Sequence, residues 1–222
     1  ASFTTLADGE ATMVLRASRP TTICIDWKGG AHSVESYTVD DNLVTTPIQT
    51  YAGAECAVYA YSADAPLYVF SVKDAKMENV DLSNMKQLVL ANVSGAGIDA
   101  IKLPETDTLA ELILTDNNFS QLDLSRYAGQ LRLLTLNNNK FTEFDATPFK
   151  SVFSLNLANN LLESVQLDNP EMWNLDLSGN QLQNVDLSKV PELNQLFLTN
   201  NQLSSLDLSA QQGLHALHID KN

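Results

Sequence analysis

The chain has 222 residues, 44% of them hydrophobic, enough for one large or two small domains with real cores. It carries 13 Lys and Arg against 27 Asp and Glu, a formal charge of -14, with no basic cluster longer than a pair; nucleic acid and anionic membrane surfaces, which demand a basic patch, are excluded as partners. No apolar run approaches the roughly 18 residues that span a bilayer.

The chain opens ASFTTLADGE, without a charged leader or apolar core segment, so a signal peptide or lipoprotein anchor is expected to have been removed. Residues 1–65 follow as alternating, β-branched runs, ATMVLRAS, TTICIDW, SVESYTV and ECAVYAYS. Turn signals separate them at Lys28, Gly29, Gly30 and at Asp40, Asp41, Asn42. This texture predicts a small antiparallel β-sandwich. Within it, Ile25, Asp26, Trp27, Lys28, Gly29 and Gly30 resemble the I-D-W-G-D-G turn of PKD-like and related immunoglobulin-like modules of secreted bacterial proteins, with Lys28 and Gly29 where that family has Gly and Asp. Cys24 and Cys56 are too few for a zinc cluster. Cys24 lies opposite Ile23 and Ile25 in the alternation, and two unpaired small hydrophobes are preferred to a bridge. No Pro/Ser-rich linker follows, so the sandwich is expected to pack on the first coil of what comes next and cap it.

From residue 66 onward a repeat takes over. Frames of the form L-x-x-L-x-L-x-x-N start at Leu109, Leu131, Val152, Met172, Leu193 and Leu214, in steps of 22, 21, 20, 21 and 21 residues. Each ends on an asparagine: Asn117, Asn139, Asn160, Asn180, Asn201, Asn222. Two degenerate frames precede them, at Leu67 and Met85, in steps of 18 and 24. The word LDLS or VDLS recurs at Val80, Leu122, Leu175, Val185 and Leu206. A period near 21 residues is that of a solenoid. The pattern resembles bacterial leucine-rich repeat proteins, and the 21-residue form with LDLS is similar to the internalin-type surface proteins.

The fold class that follows is a mostly-β leucine-rich repeat solenoid of the α/β type, residues 66–222 in about eight coils, with a parallel sheet on its concave side, behind a sandwich of residues 1–65. Strands are expected at 87–91, 111–115, 133–137, 154–158, 174–178, 195–199 and 216–220, alternate residues pointing inward. The asparagines should bond backbone groups of their own and the adjacent coil, since turns inside a stack otherwise bury unpaired amides. Of the two copies of the word in Leu175 to Ser188, Asp176 falls between core leucines and points out from the sheet. Asp186 falls on the far side, in a row with Asp81, Asp123, Asp145, Gln166 and Asp207. Two residues further, Ser83, Ser125, Thr147, Asp168, Ser188 and Ser209 form an alphabet suited to capping a short turn. The aspartate row is read as a solvated stripe in preference to calcium, whose six or more oxygens must converge on one point. The last coil ends on Asn222, so either it caps itself or the natural chain continues.

Catalysis has little to work with. Three histidines, His32, His215 and His218, come without a phosphate loop, nucleophile elbow or H-E-x-x-H, and His218 with Asp220 offers too few metal ligands. The reading is no enzyme and no cofactor. Function is expected on the concave face. Its central row is Ser71, Val89, Ile113, Thr135, Asn156, Asp176, Phe197 and His218; the row before it runs Val69, Gln87, Glu111, Leu133, Ser154, Asn174, Gln195 and Ala216; the row after it includes Ala91. Val89, Ile113 and Leu133 make an apolar patch. Phe153 and Trp173, at the leading edge of their strands, either join it as anchors or fold into the loop above. The ligand-binding set is therefore Ile113, Leu133, Phe153, Asn156, Trp173, Asn174, Asp176, Gln195, Phe197 and His218. The internalin resemblance implies a monomeric, secreted or cell-surface bacterial adhesion protein that binds a protein. The alternative is a glycan-binding accessory protein whose aromatics stack on sugar rings, and a third reading is a structural spacer.

Overall fold

A computed structural model describes residues 2–5, 8–26, 34–46, 49–52, 55–60 and 66–222. The chain forms two compact units, Ala1–Leu109 and Ala110–Asn222. Among the described residues helix is confined to one 3₁₀ turn, Ser125–Tyr127.

In the first unit all four β-branched runs are strands: Met13–Ala17, Thr21–Asp26, Val34–Val39 and Glu55–Ala60. Thr21–Asp26 is antiparallel to both Val34–Val39 and Glu55–Ala60. Its isoleucines 23 and 25 are fully buried. Cys24 is buried too, a free thiol whose Sγ lies 3.1 Å from the Ser36 hydroxyl. Residues 27–33, which hold Trp27, the PKD-like turn and His32, lie outside the described residues.

The walls of the first coil are where pairing changes sense. Leu67–Lys73 runs antiparallel to Met13–Ala17 on one side and parallel to Leu90–Ser94 on the other. Met77–Asp81 likewise pairs antiparallel with Ser2–Thr5 and parallel with Ile101–Lys102. Both edges that the first coil would leave open are thus hydrogen-bonded to N-terminal strands, which removes two templates for edge-to-edge association.

The second coil corrects the expected register. Its strand is Leu90–Ser94, not 87–91, and Ala91 pairs with Phe70 and Val93 with Val72. The frame therefore starts at Leu88, with Ala91, Val93 and Ala96 as its inward residues, all fully buried. Steps of 18 and 24 become 21 and 21. The error has a physical source: Leu88 and Leu90 satisfy the leucine spacing, while the true core positions carry alanine, whose small side chain does not advertise burial. Val89 and Gln87 leave the outward rows, and Leu90 and Asn92 take their places. Asn92 and Ser71 are buried, and the Ser94 hydroxyl donates to Asn92 Oδ1 at 2.6 Å. Val89 therefore lies outside the outward row in which the apolar patch expected it.

In the second unit the strands Glu111–Ile113, Leu133–Thr135, Ser154–Asn156, Asn174–Asp176, Gln195–Phe197 and Ala216–His218 form a parallel sheet in register, Leu112, Leu134, Leu155, Leu175, Leu196 and Leu217 standing side by side. They are shorter than expected because the chain bends after the second core leucine, yet bonding between coils persists, as in Leu136 N–H to Asn156 O at 2.8 Å and Leu157 N–H to Asp176 O at 2.8 Å. Core leucines are buried along this run, except that Leu217 in the last coil is 40% exposed.

The asparagine row behaves as a backbone substitute. Asn160 Nδ2 donates to Leu136 O of the preceding coil at 3.1 Å and to Leu157 O of its own at 3.0 Å, while its Oδ1 accepts the Phe141 amide at 3.1 Å. Asn139, Asn180, Asn201 and Asn222 repeat the same three bonds. A carboxylate could not donate and a hydroxyl could not reach both sides, so the amide is required.

Directly before each ladder residue stands a left-handed backbone: Asp116, Asn138, Asn159, Gly179, Asn200 and Lys221 all have φ between 54° and 68°. Asp74 and Gly95 hold the same place in the first unit. Apart from Lys221, the column holds only Asp, Asn and Gly, the residue types that tolerate this conformation.

Candidate functional site

All ten residues expected to bind a ligand lie on or at the border of the outward face of the second unit's sheet. Register places Asn156 beside Asp176, Asp176 beside Phe197, and Phe197 beside His218. Leu133 pairs with Glu111 and Ser154, Ile113 with Thr135, and Asn174 with Ser154 and Gln195. These outward residues are half-buried by their neighbours, except His218, which is exposed.

The aromatic residues divide into two groups. Phe153 and Trp173 occupy one repeat position on neighbouring coils, held by Trp173 N–H to Phe153 O at 2.8 Å. They are 45% and 44% exposed, so they do not fold into the loop above. Arg132, in the same position one coil earlier, reaches Glu171 at 3.5 Å. Phe197 and His218 stack face to face, centroids 4.8 Å apart and planes at 14°.

Polar groups between them are oriented by local bonds. Asn156 Oδ1 accepts the Ala158 amide and Asp176 Oδ1 the Ser178 amide, each at 3.0 Å. Asn174 Nδ2 donates to the Ser154 hydroxyl at 3.1 Å, and its Oδ1 is buried without a hydrogen-bond partner. A covered acceptor without a donor costs free energy, so this amide is a local cost within the sheet face.

On the far run of the coils, the capping roles are reversed from expectation. Asp81, Asp123, Asp145, Asp186 and Asp207 accept, through Oδ1, the amides of Ser83, Ser125, Thr147, Ser188 and Ser209 at 2.8–3.0 Å. The aspartate closes the turn; the Ser or Thr supplies the N–H. Bonds from the serine hydroxyl and amide hold the carboxyls of Asp81, Asp123, Asp186 and Asp207 below the ordinary carboxylate range. In the corrected register Lys102 joins this row beside Asp81, at 3.3 Å. Among the described residues no group of three or more His, Cys, Asp or Glu is arranged to hold a metal ion.

Two buried amides were not foreseen. Asn169 Nδ2 donates to Ala146 O at 2.9 Å and Phe149 O at 2.7 Å, and Gln211 Nε2 to Leu187 O at 2.7 Å and Val190 O at 3.2 Å. They cap turns of the preceding coil, but recur too irregularly to show as a column.

No family model matches the chain. Over 141 residues it is 30% identical to "Leucine-rich repeats and immunoglobulin-like domains protein 3" of Homo sapiens, an alignment covering 56% of this chain and 13% of that protein. Among solved structures it is similar to the functional domain of InlJ from Listeria monocytogenes, with 16% identity and a TM-score of 0.39 over 68% of this chain and 48% of that one. The chain thus spans a small part of the human relative and about half of the InlJ chain. With a period near 21 residues, parallel strands in register and an asparagine ladder, the second unit is a mostly-β solenoid of leucine-rich-repeat-like fold.

Proposed function

We propose that this is a binding protein, secreted or held at a bacterial cell surface, which grips a protein partner on the outward face of its repeat sheet. The observation that carries the reading is the exposure of Phe153 and Trp173 on neighbouring coils, beside a sheet whose polar side chains are already oriented. Large aromatics on a rigid support are the residues that most often anchor an interface, because little conformational entropy is lost when they are covered. The protein works as a monomer without cofactor or catalysis, and residues 1–65 form an immunoglobulin- or PKD-like module ahead of repeats from residue 66.

A glycan is the second reading, favoured by the half-exposed amides of Asn156 and Gln195, which suit sugar hydroxyls, on the face that carries Phe153 and Trp173. The experiment is capture from a cell-surface extract alongside a glycan array, each run with the native chain and with Phe153→Ala/Trp173→Ala. A protein retained by the native chain and lost by the variant supports the first reading; array signal lost by the variant supports the second. Retention by both chains moves the site off this face.

A further inference from the structure

The far run of the second unit is not a closed ladder. Glu143–Asp145 pairs with Ser164–Gln166, whereas Gln121–Asp123, its equivalent one coil earlier, forms no strand and leads into the 3₁₀ turn Ser125–Tyr127. A cleft of about 410 Å³ lies there, lined by these segments and by Phe141, Phe144, Pro148 and Phe149. Its volume is within the range, roughly 300–1,000 Å³, of pockets that hold ligands.

The lining has two chemistries. Phe141 and Phe144 meet edge to face at 5.9 Å, and Phe144 stacks on Phe149 at 6.2 Å, giving a fixed apolar floor. Around it stand the carboxylates of Asp123, Glu143 and Asp145, with no Lys or Arg in the lining. The alternation of the strand separates the two, since Phe144 is buried while Glu143 and Asp145 are exposed. Asp123 and Asp145 are immobilised through Oδ1 by the Ser125 and Thr147 amides at 3.0 and 2.9 Å. Three carboxylates with no cation in the lining make the cleft complementary to a positively charged partner.

We infer that this cleft docks an extended segment of a partner protein in which an apolar side chain lies between two Lys or Arg residues. The apolar group covers the phenylalanine floor, and the flanking cations, on the opposite face of an extended chain, meet Glu143 and Asp145. The site is separate from the outward sheet face and stands whether or not that face binds anything.

The test uses fluorescein-labelled Lys-Leu-Lys-Leu-Lys, with Lys-Ser-Lys-Ser-Lys and Glu-Leu-Glu-Leu-Glu as controls, titrated into the whole chain by fluorescence anisotropy. Amide shifts are mapped by NMR. The leucine-lysine peptide should bind saturably and at least tenfold more tightly than the serine-lysine peptide, the glutamate peptide should not bind, and shifts should centre on Phe144, Phe149 and Gln166. The variant Asp123→Asn/Glu143→Gln/Asp145→Asn keeps the turn-closing oxygens, and should weaken the peptide at least tenfold with an unchanged melting temperature. Should it fail to fold, Ser120→Trp, which fills the cleft from an exposed position, must produce the same loss. Equal affinity for the serine peptide, undiminished binding by these variants, or shifts confined to the outward sheet would overturn the proposal.

Discussion

Asp176 and Asp186 make the same bond in two different settings: each turns Oδ1 onto the amide of the serine two residues ahead, at 3.0 Å to Ser178 and 2.9 Å to Ser188. The first belongs to the sheet and the second to the far run, so the repeated word L-D-L-S encodes one local turn wherever it falls. Surroundings then separate the copies. Asp176 stands between Asn156 and Phe197 on the proposed binding face, and Asp186 lies exposed beyond it.

The far-run aspartates predict an acid response. Asp123, Asp186 and Asp207 have carboxyls held below their unfolded value by the serine amides and hydroxyls. Their stabilisation is therefore complete above the ordinary carboxylate range near 4 and is lost as pH falls through the depressed values. Urea midpoints measured from pH 5 downward should fall more steeply for the native chain than for Asp123→Asn/Asp186→Asn/Asp207→Asn, which keeps the acceptor oxygen but cannot be protonated. Parallel curves would remove these bonds from the acid response.

The ladder predicts a larger and pH-independent effect. Asn160→Ala leaves Leu136 O, Leu157 O and the Phe141 amide without the bonds they now make in a buried place. The cost should be about 1–3 kcal/mol, read as a lowered melting temperature. Asp186→Asn should shift it little. Equal shifts would contradict the division of roles.

A glycine pair tests the left-handed column. At Gly179 φ is +68° and a Cβ would press on Asn159 Oδ1, whereas at Gly129 a Cβ would meet nothing within 4 Å. Gly179→Ala should cost about 1–2 kcal/mol for the backbone alone. Gly129→Ala should be neutral or stabilise by about 0.5 kcal/mol through the unfolded chain. Chemical denaturation of both separates the combined strain and crowding at Gly179 from a general intolerance of side chains.

How much of this was legible follows from what each feature writes into the chain. Leucines and asparagines recur because each coil must fill the same core and pair the same amides, so the strands from Glu111 onward and the Asn160 bonds could be read directly. The register at Leu88 could not, because alanine fills a core position in Ala91 and Ala96 without a hydrophobic signature. That the aspartate and not the serine closes the far turn was hidden, since both residue types cap. The exposure of Phe153 and Trp173 depends on the length and path of the loop beside them, which periodicity does not carry. The cleft at Phe144 lies where the paired far-run strands Glu143–Asp145 and Ser164–Gln166 meet Gln121–Asp123, which forms none, and an absence of pairing leaves no motif.

The binding prediction rests on the separation of the two aspartates. If the outward sheet face holds the partner, Asp176→Asn with Phe197→Ala should weaken a captured partner by at least ~2 kcal/mol, the scale of an interface hot spot. The asparagine keeps the acceptor for Ser178, so the loss would report charge and contact area and not an opened turn. Removing Phe197 also uncovers His218, which stacks on it at 4.8 Å. Asp186→Asn with Asp207→Asn changes the same word on the far run and removes two charges to the first pair's one, yet should leave affinity within error. Calorimetric titration of both double variants decides it: a loss confined to the far-run pair would move the partner off the sheet, because nothing else distinguishes the two aspartate environments as clearly as the side of the coil they occupy.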